Sequence, residues 1–376
     1  MYRVLPVVVL VAVLADLPPS PDGLGAPGKV NTTYPANASF PNQTNQTNQT
    51  NQTNPTNSTN PTNSTNPTNI TNPTNLFDPA TRAASELPRL HSLLVSRRGE
   101  IVLERYFNGR RATTPANVKS VSKSVIAALV GIAADRKLLS LDQPIAPFFS
   151  DLPEPKRTIT IEHLLTMQSG LESTSSRNYG AWVQSPNWVR HALAKPLVAA
   201  PGTQMIYSTG NTHLLSAILT RATGKSTWQF AQETLAKPLG FSLSPWLRDP
   251  QGVYFGGNEM VMTPRQMLAF GELYRNGGQL NGQPILSKTF VAATFEPRGR
   301  SRISGREYGY GWWMREMAGR RAYYAWGFGG QYIVLVPSLD LTVVSTSAAT
   351  VSEDRRDHRR TVDDIIEQLI VAPLGG

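Results

Sequence analysis

The chain of 376 residues contains no cysteine. That absence excludes disulfides, zinc–thiolate sites, a cysteine nucleophile and a lipidated lipoprotein cysteine together. The histidines, His91, His163, His191, His213 and His358, are scattered without metal-ligand spacing, so neither a metal nor a cofactor is expected. A Gly-x-Ser-x-Gly elbow is also missing. His213 therefore reads as a packed or capping residue rather than as the base of a Ser-His-Asp triad. Charge is scarce at the start: before residue 76 stand only Arg3, Asp16, Asp22 and Lys29, which cancel. The formal charge of +10 thus belongs to residues 76–376, where arginine dominates lysine and Arg355, Arg356, Arg359 and Arg360 cluster. A basic surface fits association with cell wall or a membrane surface; a solvated face shaped by biased base composition is the plainer explanation. No nucleic-acid partner is expected.

The N-terminus lacks an apolar run of membrane-spanning length, which takes ~20 residues. After the basic start Met1-Tyr2-Arg3, the run Val4 to Ala15 is twelve residues long and ends in small or compact side chains. Residues 1–15 read as a secretory signal peptide, which makes the protein an exported one; an uncleaved anchor is the alternative. From Asn42 to Thr74 run eleven consecutive Asn-x-Thr triplets. Almost nothing apolar recurs in them, and proline in alternate triplets from Asn54 onward forbids helix and ladder hydrogen bonding. Residues 16–75 read as a disordered stalk, a spacer reaching on the order of 100 Å at ~3.1 Å per residue. The triplets without proline match the N-glycosylation sequon.

Residues 76–376 carry helix and strand patterns throughout. The central stretch is Val118-Lys119-Ser120-Val121-Ser122-Lys123-Ser124, followed by the apolar run Val125 to Ile132. A serine at i and a lysine at i+3 share one helix face, so the amine reaches the hydroxyl. Ser120 is the candidate nucleophile, placed where the helix begins and unpaired N–H groups face a forming oxyanion. A buried helix desolvates Lys123 and lowers its pKa, which frees it as a base. Before this helix, His91 to Ser96 and Glu100 to Phe107 predict a hairpin; after it, His163 to Met167, Asn211 to Ala222, Thr227 to Leu235 and Pro264 to Asn276 predict helices. Ala322 to Trp326, Gln331 to Val336 and Leu341 to Ser347 predict an antiparallel meander. Thr361 to Ile370 predicts a closing helix with one apolar stripe. The implied fold is α+β: an antiparallel five-stranded sheet built from both ends of the chain and flanked by helices, with an all-helical region inserted.

Ser120-x-x-Lys123, then Tyr207-Ser208-Thr209-Gly210-Asn211, then Trp326-Gly327-Phe328-Gly329-Gly330-Gln331, resemble in order and spacing the serine β-lactamase and penicillin-binding superfamily. The class C-like branch is the most similar, especially its esterase and 6-aminohexanoate-dimer hydrolase relatives. Supporting phrases are Ile159 to Gly170, Gly256-Gly257-Asn258-Glu259-Met260 and Tyr308 to Trp313. The resemblance implies a β-lactamase/transpeptidase-like fold over about residues 80–372. It makes Ser120 the acylated nucleophile, Lys123 its base or proton relay, and Tyr207 a second acid/base, with members differing on which base is primary. Gln331 aligns as the second oxyanion N–H beside that of Ser120. Two departures stand out. Thr209 replaces the asparagine of Tyr-x-Asn, a role Asn211 could take over. Phe328-Gly329-Gly330 aligns with Lys-Thr-Gly, which puts an aromatic where a cation meets a substrate carboxylate; Trp326-Gly327-Phe328 is a competing alignment. Arg298, Arg300, Arg302 and Arg306 could supply that cation from another direction. The expected function is an exported serine hydrolase that forms an acyl-enzyme at Ser120 and cleaves a carboxylic ester or linear amide. A β-lactamase or D-Ala-D-Ala-type peptidase is one alternative and a non-catalytic cell-wall binding domain another. The partner is a small-molecule ester, amide or lactam.

Overall fold

The computed structural model describes residues 76–375; the signal-peptide and stalk readings fall outside them. Helix α1 (Asp78–Ser85) leads into β1 (Leu90–Arg97) and β2 (Glu100–Tyr106). After a 3₁₀ turn at Lys119–Val121 comes α2 (Ser122–Asp135), then α3 (Ile161–Leu165), α4 (Tyr179–Val183), α5 (Trp188–Ala194), α6 (Thr209–Thr223) and α7 (Pro264–Arg275). Strands β3 (Gly299–Arg300), β4 (Glu307–Tyr308), β5 (Trp313–Met317), β6 (Arg320–Gly327), β7 (Gln331–Val336) and β8 (Leu341–Ser347) come next. Helix α8 (Arg355–Asp364) then continues as wider turns through Ile365–Val371.

One sheet takes the order β2-β1-β8-β7-β6-β5-β4-β3, with every pairing antiparallel. The five strands predicted from sequence form a contiguous block, β2-β1-β8-β7-β6, so the two ends of the chain meet at the β1–β8 pairing. The sheet has eight strands rather than five because β5, β4 and β3 extend the β6 edge. Two of these are only two residues long, too short for an alternating pattern to show. α8 begins at Arg355, six residues before the predicted start, because His358 and Val362 already face inward from its polar first turns. α3 begins at Ile161, where Thr160 and His163 form a capping box.

The sheet buries both faces. On the back, Tyr324, Tyr332, Val334 and Val343 pack against Phe77 and Ala80 of the N-terminal helical segment and Val362, Ile366 and Ile370 of the C-terminal one. On the front, Ala325, Ile333, Leu335 and Val344 join a larger core shared with α2, α6 and α7. Residues 122–133 of α2 are buried all round, as expected of a helix sandwiched between sheet and helical region. That enclosure is what holds its first turn still.

Candidate active site

Ser120 lies in the 3₁₀ turn just ahead of α2 rather than in the α-helix itself. Lys119 opens the turn with φ of +50°, a conformation costly for a side-chain-bearing residue. Its neighbours hold it there. The Lys119 Nζ donates to Glu259 Oε1 at 2.9 Å, Asn117 Nδ2 donates to Glu259 Oε2 at 2.6 Å, and Lys119 N–H donates to Asn117 Oδ1 at 3.0 Å. Ser122 Oγ donates to Lys119 O at 2.6 Å, tying the turn to α2. On its other side the turn meets the end of β6: a Cβ placed on Gly327 would stand 2.3 Å from the Val118 carbonyl oxygen. Only glycine permits this approach of the strand to the Ser120 turn.

Lys123 Nζ is 3.0 Å from Ser120 Oγ and donates to the Gly257 carbonyl at 2.7 Å. In its neutral form the same amine can accept the Ser120 hydroxyl proton. Burial lowers the Lys123 pKa to about 7, because its neighbours are a hydroxyl and a carbonyl rather than a carboxylate that would offset the desolvation. The Lys123 amine also stands 5.2 Å from the centre of the Tyr207 ring. Tyr207 stacks on Trp313 at 5.5 Å between centroids and meets Tyr308 edge-on at 6.2 Å. Desolvation raises its phenol above the ordinary value, opposed by a hydrogen bond with Ser120. Tyr207 is therefore a proton donor at neutral pH.

These three residues, from the turn, α2 and the segment entering α6, converge on one point. The remaining positions singled out from the sequence are spread around it. Gly330 has φ of +100° in the β6–β7 turn, and its carbonyl accepts from Ser345 Oγ at 2.9 Å. Gln331 opens β7 opposite Gly327; its side chain donates to Ser347 O at 2.8 Å and accepts from Ser347 N–H at 3.1 Å. Phe328, half-buried, occupies the turn between them. Trp326 projects from β6 to the back face, where the Arg359 guanidinium stacks on it at 5.8 Å; α2 covers the other face. Asn211 is buried in the first turn of α6, with Oδ1 accepting from Ser169 Oγ at 3.1 Å and Nδ2 without a protein partner. Thr209 is held by Ser175 Oγ at 2.9 Å. Arg298 pairs with Glu162 and Glu296, Arg300 with Glu307, and Arg306 with Asp363.

Sequence reasoning missed Asn117, Lys119, Gly257 and Glu259 as parts of the site. The Gly256 to Met260 phrase had marked the last two as part of a familiar pattern, but no local rule says that its carbonyl faces a lysine more than a hundred residues earlier. Among the described residues no cluster could hold a metal ion, and no helix is long and apolar enough to cross a membrane.

Residues 91–367 match the Beta-lactamase family. The monacolin J acid methylbutanoyltransferase of Aspergillus terreus is 30% identical over 154 residues, 34% of this chain and 37% of that protein. A Bacillus anthracis structure described as a 6-aminohexanoate-dimer hydrolase superposes with a TM-score of 0.61 at 22% identity, covering 74% of this chain and 79% of that one. EstCE1, a hydrolase with promiscuous acyltransferase activity, gives a TM-score of 0.62 at 19% identity, covering 77% of this chain and 99% of that one.

Proposed function

This chain belongs to the Beta-lactamase family and is a serine hydrolase, and from that premise we propose that it forms an acyl-enzyme at Ser120 and hydrolyses uncharged carboxylic esters or linear amides. The observation that carries the reading is the buried Lys123 amine, 3.0 Å from Ser120 Oγ with a pKa lowered to about 7. In the neutral state Lys123 takes the Ser120 proton as Oγ attacks the acyl carbon. The oxyanion is held by the backbone N–H groups of Ser120 and Gln331. Collapse breaks the bond from the acyl carbon to the ester oxygen or amide nitrogen, and the departing alkoxide or amine receives a proton from Tyr207, which Lys123 resupplies. Water then attacks the ester carbonyl of the acyl-enzyme by the reverse of this proton path.

Preference for an uncharged substrate rests on the aromatic Phe328 and on three of the four candidate arginines being already committed to carboxylates, Arg302 being the exposed fourth. A penicillin or cephalosporin carboxylate calls for a cation, worth roughly 1.5–3 kcal/mol as a charge-assisted hydrogen bond. With Phe328-Gly329-Gly330 aligned on Lys-Thr-Gly, an aromatic takes the place of that cation, and Arg298, Arg300 and Arg306 are paired with carboxylates of the fold. Parallel kinetics on p-nitrophenyl butyrate and nitrocefin test this. The expected kcat/KM is about a hundredfold higher on the ester, at ~1.4 kcal/mol per tenfold; equal or better efficiency on nitrocefin transfers the assignment to the lactam reading. The local similarity to a methylbutanoyltransferase favours one further arm, an added alcohol acceptor, which draws acyl product away from water if the enzyme also transfers. Export rests on residues 1–15, and Edman sequencing of the mature protein from culture supernatant tests it.

A further inference from the structure

We propose that His213 and Asp249 are positioning residues for Lys123, shaping the loop 249–257 so that the Gly257 carbonyl meets the lysine amine. The proposal rests on the reading of Lys123 as the base. His213 projects from α6, and both it and Asp249 are shielded from solvent, with 3.0 Å between Nε2 and Oδ2. The other carboxylate oxygen, Oδ1, accepts the N–H groups of Gln251 at 2.9 Å and Val253 at 2.8 Å. Asp249 is thus an acceptor at every contact, and Nε2 of His213 must donate to it. Nδ1 is then left unprotonated, and it accepts the Gly256 N–H at 3.4 Å. One neutral tautomer satisfies the whole arrangement. The ring cannot turn to another partner, because Trp182, Trp188 and Phe255 enclose it with centroids 5.4–5.9 Å away.

The consequence falls one residue further on. A Cβ at Gly256 would lie 2.0 Å from the Thr212 carbonyl oxygen, so the loop lies directly against the α6 backbone while His213 holds its amide. The next carbonyl, Gly257 O, is the acceptor of Lys123 at 2.7 Å. Serine, lysine and tyrosine come from three segments; this link fixes the acceptor of the lysine to the same helix that Tyr207 precedes. The titratable groups facing Lys123 are Ser120 and Tyr207, and Glu259, two residues beyond the carbonyl, is held by Lys119.

Asp249→Asn tests the link without changing shape. Its carbonyl oxygen stays with the Gln251 and Val253 N–H groups, so its amide faces Nε2, and His213 must carry its proton on Nδ1. That proton opposes the Gly256 N–H and pushes the loop off α6. The expected result is a fall in kcat of roughly 100-fold for a displacement on the order of 1 Å, an unchanged KM, and an acid limb of the pH profile shifted below 7 because the ammonium has lost an acceptor. An acid limb that stays at the wild-type position or rises overturns the proposal. If Asp249→Asn does not fold, the long-range ¹H–¹⁵N imidazole spectrum of the wild-type protein decides: Nε2–H supports the link and Nδ1–H overturns it. Lys123→Ala separates the two readings, since full activity in that variant sinks the role of Lys123 itself, whereas impairment there with an unaltered Asp249→Asn profile sinks only this inference.

Discussion

Lys123 on the front of the sheet and Arg315 on the back are both largely enclosed cations, and their surroundings differ. Lys123 has a hydroxyl at 3.0 Å and a carbonyl at 2.7 Å; Arg315 lies between Asp363 at 2.8 Å and Glu367 at 2.7 Å. Burial lowers the lysine pKa to about 7. For Arg315 burial acts in the same direction, but Asp363 and Glu367 overcome it and the pKa rises. Desolvation of a cation without a counter-ion produces a base, and the same desolvation with two counter-ions produces a strut between β5 and the C-terminal helical segment. The front face, where the proposed site lies, leaves the Lys123 charge uncompensated; the back face seals the sheet and compensates its charge.

Ser120→Ala sharpens this contrast most: turnover and labelling by a fluorophosphonate probe are expected to vanish while the circular dichroism spectrum is kept, and a label retained or moved to Ser122 on peptide mapping contradicts it. Lys123→Ala and Tyr207→Phe should each lower kcat/KM by ~100-fold, the scale of lost general acid/base catalysis. Because the two share one proton path, the double variant should lose less than the product of the single losses. The pH dependence separates the faces by sign. With Lys123 as the proposed base, only its neutral form is active, so kcat/KM should fall as pH drops through about 7. The unfolded lysine titrates near ~10.4, so between those values the unfolded chain binds a proton that the native one does not, and the contribution of this site to stability rises with pH. Lys123→Met should accordingly raise the thermal midpoint at pH 7 while lowering kcat/KM by the same ~100-fold as Lys123→Ala. On the back face Asp363→Asn should leave kcat/KM unchanged and cost roughly 1–3 kcal/mol, a buried-pair loss discounted for partial exposure, seen as a lower midpoint in calorimetry. Removing residues 16–75 should change neither quantity, because that stretch carries no apolar periodicity with which to dock; a midpoint lower by several degrees would refute it.

The block of five strands was legible because β1, β7 and β8 are long apolar runs bounded by turn residues, and the meander needs no distant partner to be inferred. The edge strands were not, since pairs as short as Gly299–Arg300 and Glu307–Tyr308 exist only through the neighbours they bond. Trp326 shows the same limit at the site. It belongs to the glycine-rich phrase, yet strand alternation sends its ring to the back face while Gly327, the next residue, meets the turn that carries Ser120.

Residue order alone set Ser120 and Lys123 one turn apart at the head of an apolar segment, because i, i+3 spacing is a local property of the backbone. It likewise determined the absence of thiol chemistry, since no cysteine is available. Which groups surround that pair depends on the folded arrangement: Gly257 O on the amine, Glu259 on Lys119, Tyr207 beside Ser120, and the His213–Asp249 pair behind the loop. The physical reason is that a lysine pKa near 7 comes from the solvent removed and the counter-ions withheld by residues far away in the chain. Periodicity predicts that a helix is buried; it does not say what it is buried against.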